Sequence, residues 1–202
     1  MKSITYLVAF FATTIVAASL PGESGYYLRR ADEMAEGNNP IADLSVTDER
    51  FGDEVFVGTA KSIYEQMKER KPELFVNETD VSETEPSLEK RQGTFNCNWY
   101  SNINDAVGQW WWCHEGTAYL RKLGTAWCYV DAPAPACARV SCSNSCGMFL
   151  CNKQPRRVEV HCKDIATDIA AIANQCGSSN IGYAGGARDF ASHFIGLRGQ
   201  RC

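Results

Sequence analysis

The spacing of hydrophobic and polar positions changes several times along the chain, and each change predicts an element. Ile4 to Val16 is almost wholly apolar, with Lys2 before it and the small residues Ala17, Ala18 and Ser19 after it. That charged, apolar, small-residue order is the pattern of a secretory signal peptide, with cleavage expected near residue 18. About 17 apolar residues sit at the lower limit for crossing a bilayer, so a membrane anchor is the weaker reading. Further on, Ala60, Ile63, Tyr64 and Met67 recur at i, i+3, i+4 and i+7, which predicts a helix over Thr59 to Arg70 that Pro72 ends.

The clearest period lies near the carboxyl end. Cys162, Ile165, Ile169, Ile172 and Cys176 recur at steps of three and four, making one apolar stripe on a helix closed by Gly177. Lys163, Asp164, Thr167, Asp168, Asn174 and Gln175 are then assigned mostly to the opposite, solvent side. Val158, Val160 and Cys162 alternate with Glu159 and His161, predicting a short strand that leads into the helix. Ala126 to Val130, Ala138 to Ser143, Met148 to Cys151 and Ala191 to Leu197 are further strand candidates, the last after a turn at Gly185-Gly186. Tyr119-Leu120 fits a helix or a strand. One good helix and several short strands predict an α+β fold, a small disulfide-stapled α/β sandwich.

Composition divides this picture in two. All ten cysteines lie from residue 97 onward, at Cys97, Cys113, Cys128, Cys137, Cys142, Cys146, Cys151, Cys162, Cys176 and Cys202. Residues 1–91 carry 10 basic and 17 acidic residues, whereas the remaining 111 carry 10 and 7. An even cysteine count at this density marks a secreted disulfide scaffold with five bridges, and the pairing stays open. Each bridge is expected to add about 2–4 kcal/mol by restricting the unfolded chain. Cys137, Cys142, Cys146 and Cys151 are close enough for a zinc site, but an oxidising compartment favours bridges, so neither metal nor cofactor is expected. The mild charge balance does not suggest a nucleic-acid binder, and a monomer is expected.

The step in composition falls at Lys90-Arg91, an exposed dibasic pair of the kind cut by kexin-type processing proteases. The sequence therefore divides into a signal peptide over 1–18, an acidic pro-segment over 19–91 expected to be largely unstructured, and a mature cysteine-rich domain over 92–202. Asn77-Glu78-Thr79 is a glycosylation acceptor within the pro-segment. Its negative charge would mask a basic surface until cleavage, or else serve only as a solubilising spacer.

Several stretches carry a resemblance. They are Phe95 to Tyr100, Glu115 to Arg121, Arg139 to Ser143, Cys151-Asn152, the cysteine-bounded helix and the terminal Cys202. Their order is similar to the smut-type killer toxin family of small cysteine-rich fungal proteins. The resemblance implies a disulfide-stapled α/β sandwich and a secreted toxin or effector rather than a metabolic enzyme. The chain departs from that pattern after the helix, where Cys176-Gly177 stands without a second nearby cysteine.

Two groups of residues are candidates for binding. Lys153, Arg156, Arg157 and Lys163 cluster around Pro155, and a rigid basic loop could meet an anionic surface such as a channel mouth; a solvated face is the plainer reading. Trp110-Trp111-Trp112 cannot all face one core, and Trp110 and Trp112 would share a side if the run were extended. Exposed indoles stack on sugars or on a partner. His114, His161 and His193, with Glu115 and Glu159 near the first two, are the only support for catalysis, and no enzyme is expected. The leading expectation is a toxin or effector binding a host or competitor cell-surface protein, a membrane channel among them. A cell-wall carbohydrate binder is the alternative, and a small secreted ribonuclease is the third.

Overall fold

The computed structural model describes residues 41–75, 93–97, 110–131, 136–177, 184–200 and 202. The signal peptide, Asn77, Lys90 and Arg91 lie outside the described residues, as do the side chains of Trp110 and Trp112. The strands are β1 (Ala42–Thr47), β2 (Val55–Gly58), β3 (Thr94–Asn96), β4 (Trp127–Val130), β5 (Ala136–Ser143), β6 (Cys146–Asn152), β7 (Val158–His161), β8 (Gly186–Asp189) and β9 (His193–Gly199). The helices are α1 (Ala60–Arg70), α2 (His114–Leu123) and α3 (Cys162–Cys176). None of the described helices is long and apolar enough to cross a membrane.

The strands make one curled, mixed sheet in the order β3-β8-β9-β6-β5-β1-β4-β7, with β2 also paired to β1. The three described helices lie against it, α1 on α2 and α2 on α3. Between the layers sits a core of Val46, Leu120, Leu123, Val140, Met148, Leu150, Ile165, Ile169, Ile172, Ile195 and Leu197. Phe149, Phe194, Ala187 and the Cys137–Cys151 bridge form a second cluster on the sheet. The pleat that sends neighbours to opposite faces puts Phe194 there while Ile195 joins the main core.

Local chemistry sets the ends of the elements. Thr59 caps α1: its hydroxyl accepts the Ser62 amide at 3.3 Å, and the Ser62 hydroxyl accepts the Thr59 amide at 3.0 Å. The helix runs to Arg70 and buries Ala60, Ile63, Tyr64 and Met67, the residues its period picks out. Helix α3 spans the two cysteines that bound its stripe. The β5–β6 hairpin turns through Asn144 and Ser145, both at positive φ, the geometry that matches the twist of adjoining strands.

All ten cysteines are bridged, as Cys97–Cys176, Cys113–Cys146, Cys128–Cys162, Cys137–Cys151 and Cys142–Cys202. Cys128–Cys162 ties the start of α3 to β4, and Cys97–Cys176 ties its end to the chain beside β3. The mixed α+β class and five disulfides agree with the expectation from sequence.

Three expectations need correction. Residues 41–75, placed in a largely unstructured pro-segment, are folded into the sheet and core. Leu44 and Val46 alternate with Asp43, Ser45 and Thr47, which is a strand pattern, and both are fully buried. Residues Ala42 and Asp43 run parallel to β5, while the rest of β1 pairs antiparallel with β2 and with β4. Asp168, assigned to the solvent side of its helix, is fully buried because Arg188 of β8 reaches it at 2.9 Å. Finally, Gly186 opens a strand instead of making a turn. Its φ of 150° and the closeness of the Asn96 carbonyl, 3.0 Å from where a Cβ would stand, require glycine there.

Candidate functional site

The outer face of β2, β1, β4 and β7 follows from the inner one. Because Phe56, Val46, Cys128, Val130, Val158 and Val160 enter the core, their neighbours along each strand turn outward. Strand register aligns those neighbours in two rows, Val55–Thr47–Trp127–His161 and Val57–Ser45–Tyr129–Glu159. At about 4.8 Å between strands, each row spans about 14 Å. The face grades from apolar at β2, where Val55 and Val57 are 47% and 51% exposed, through hydroxyls to aromatic and charged groups.

The aromatic end is held by specific contacts. The rings of Trp127 and His161 stack with centroids 3.7 Å apart. His161 Nδ1 lies 2.8 Å from the Thr125 carbonyl, and since a carbonyl only accepts, Nδ1 carries the proton and donates. In the next row the Arg157 guanidinium lies 4.0 Å above the Tyr129 ring, a cation–π arrangement. Arg157 Nε donates to Asp131 at 2.7 Å, and Glu159 is 3.7 Å from the same side chain. The Asp131 hydrogen bond raises the already high pKa of Arg157, so the group keeps its charge at any physiological pH. The arrangement holds a half-buried Trp127–His161 stack beside the exposed Arg157 and Glu159, with the Tyr129 ring buried beneath the guanidinium.

The basic cluster read from sequence divides between two places. Arg157 belongs to this face, Arg156 is exposed on the adjoining turn, and Lys163 is exposed on the first turn of α3. Lys153 points elsewhere: its ammonium is buried between Asp189 at 2.7 Å and the Phe190 carbonyl at 2.9 Å. The turn is anchored by Asn152, which the sequence marked only as part of the Cys151-Asn152 stretch and not as a site residue. Its Nδ2 donates to the carbonyls of Arg156, Asp131 and Val130 at 2.8, 3.3 and 3.4 Å, and its Oδ1 accepts the Gln154 amide at 2.6 Å. An Asn three residues before Pro155, where an Asx-turn is favoured, was the available signal.

The backbone of Trp110 to Cys113 forms a single 3-10 turn, not the extended run on which the expectation for Trp110 and Trp112 depended. The described indole is that of Trp111, which is 48% exposed. The three histidines stand on three elements: His114 opens α2, His161 ends β7 and His193 opens β9. His193 stacks on Phe190 with centroids 4.7 Å apart, and its Nδ1 is 2.9 Å from the Ser192 hydroxyl. Glu159 and His161 share the outer face but fall in different rows. No family model, no curated protein and no solved structure matches this chain.

Proposed function

We propose that this is a secreted toxin- or effector-like protein that acts by binding a host or competitor cell-surface protein, such as a membrane channel. The contact is made by the outer face of β2-β1-β4-β7 with Arg156 and Lys163 at its edge. The observation that carries the reading is the half-buried Trp127–His161 stack side by side with the exposed Arg157 guanidinium, which lies over the buried Tyr129 ring. A four-strand face about 14 Å across suits a macromolecular target better than a small substrate. Aromatic and arginine side chains supply most of the binding energy at protein interfaces, and rigidity lowers the ordering cost of association. Five disulfides support that rigidity. Maturation by a kexin-type protease at Lys90-Arg91 belongs to the same reading.

The test is charge reversal at Arg156 and Arg157 together, followed by binding to and killing of susceptible cells. At least a tenfold loss of cell binding, about 1.4 kcal/mol or more, is expected from a variant whose circular dichroism matches that of the parent protein. Binding within twofold of the parent protein refutes the assignment of this face.

A second reading, cell-wall glycan binding, is favoured by the half-exposed indole of Trp111, since an indole face stacks on a sugar ring. In that case Trp111→Ala abolishes pull-down on insoluble chitin or cell-wall glucan, and the arginine variants retain it. Pull-down that survives Trp111→Ala removes this reading.

A further inference from the structure

The acidic segment expected to be discarded supplies two strands and a helix to the sheet and core that the rest of the chain builds. Leu44, Val46, Phe51, Phe56, Ala60, Ile63, Tyr64, Met67 and Phe75 are buried in the same cluster as Leu120, Leu123, Cys128 and Ile165. Strand β1 lies inside the sheet, between β5 and β4 in strand order, and β2 adds to it. The side chains continue the join: Tyr64 meets the Tyr119 ring at 5.5 Å between centroids, and Lys61 pairs with Glu115 at 3.1 Å. Yet nothing covalent crosses, because every disulfide joins residues from Cys97 onward.

We infer that cleavage after Arg91 does not release the acidic segment but converts the protein into a noncovalent two-chain molecule, with residues 41–75 kept as an inserted strand-and-helix subunit. The inference rests on the reading of Lys90-Arg91 as a processing site. The pair falls between Phe75, which ends the last described turn of the first part, and Thr94, which begins β3, so a cut there severs no described element. Removing the segment would open the sheet at β4 and β5, leaving unpaired backbone groups and uncovered apolar side chains on the larger fragment. It would also take away β1 and β2, half of the proposed binding face. The segment is therefore a permanent part of the active molecule, and its negative charge stays with the positive fragment after maturation.

The experiment uses the full chain with a site-specific protease sequence in place of residues 86–91, cut after purification and run on gel filtration at about 1 μM, where a complex weaker than micromolar would dissociate. Both fragments are expected in one peak, and they should separate on a denaturing gel without reductant. Amides of Leu44 to Thr47 should stay protected from hydrogen exchange after the cut. A peak of the cysteine-rich fragment alone, still folded, overturns the inference while leaving the processing reading intact. In parallel, amino-terminal sequencing of the naturally secreted protein should find two chains, one beginning at Gln92. An uncut secreted chain overturns the processing reading and with it the two-chain product, whatever the engineered protein does.

Discussion

The ion pair between Arg188 and Asp168 joins strand β8 to helix α3 inside the protein, and its removal offers a quantitative test of the fold. The two side chains are 5% and 0% exposed and 2.9 Å apart, and the guanidinium also lies 5.2 Å from the Phe95 ring centroid and 5.4 Å from that of Phe190. A charge in this setting is tolerable only while its partner is present. Asp168→Leu takes the Asp168 partner from the guanidinium, and Arg188→Met takes the Arg188 partner from the carboxylate; each should cost about 3–5 kcal/mol. For a chain of this size that lowers the melting temperature by roughly 10 °C. Exchanging both for apolar side chains, as Asp168→Leu with Arg188→Met, removes both charges together and should cost much less than the two single changes summed. Calorimetry on the four proteins at pH 7 gives the coupling directly. Single variants within about 1 kcal/mol of the parent, or strict additivity, would refute the claim that the pair is buried and interdependent.

Other outcomes follow from single residues. Burial would push the Asp48 carboxyl up, but hydrogen bonds from the Arg50 side chain and amide, with the charges of Arg50 and Lys71, outweigh it and hold the group below its ordinary value. The stability it contributes is thus complete above the unfolded value near pH 4 and lost as pH falls through the lowered native value. Asp48→Asn should flatten this acid dependence in thermal melts from pH 5 to pH 2, and an unchanged slope would show that Asp48 is not responsible. Asn152→Ala leaves three carbonyls and the Gln154 amide to find new partners, at a cost of about 1–3 kcal/mol. It should also loosen the Arg156-Arg157 turn, read as faster hydrogen exchange of the Gln154 amide, while binding falls only as far as that turn contributes.

What could be read from sequence was whatever depends on one period or one composition step. The stripe through Cys162, Ile165, Ile169, Ile172 and Cys176 defined α3 because a helix that packs against a sheet needs only one apolar face. Helix α1 was legible for the same reason. Asp168 was not, because periodicity sorts residues by polarity and cannot anticipate an arginine arriving from a strand twenty positions later. Lys153 was misread likewise: Arg156 and Arg157, three and four positions on, are exposed, but the partner of Lys153, Asp189, comes from another part of the sequence. Strand β1 has the clearest local signal of those missed. Its six residues were averaged into an acidic stretch more than ten times as long, and the absence of cysteine was mistaken for absence of structure. Half of the proposed binding face was hidden with it. The other half was partly visible, since Glu159 and His161 read as one side of a strand, though nothing local placed Trp127 and Tyr129 against them.

The position of β1 also bears on the order in which the protein can be built. A chain made from its amino end presents this strand first, but Ser45 pairs with Tyr129, and Ala42 with Ala138, so its flanking partners are among the later residues to appear. Contacts between residues so far apart close slowly, because a large loop must be ordered before any pairing rewards it. The local pairing of β1 with β2 is available early, but its edge toward β4 and β5 stays open until those strands appear, which leaves Leu44 and Val46 incompletely covered during the delay. Early pairing with β2, together with α1 closing on its own Thr59 cap, would cover that strand from within the same segment.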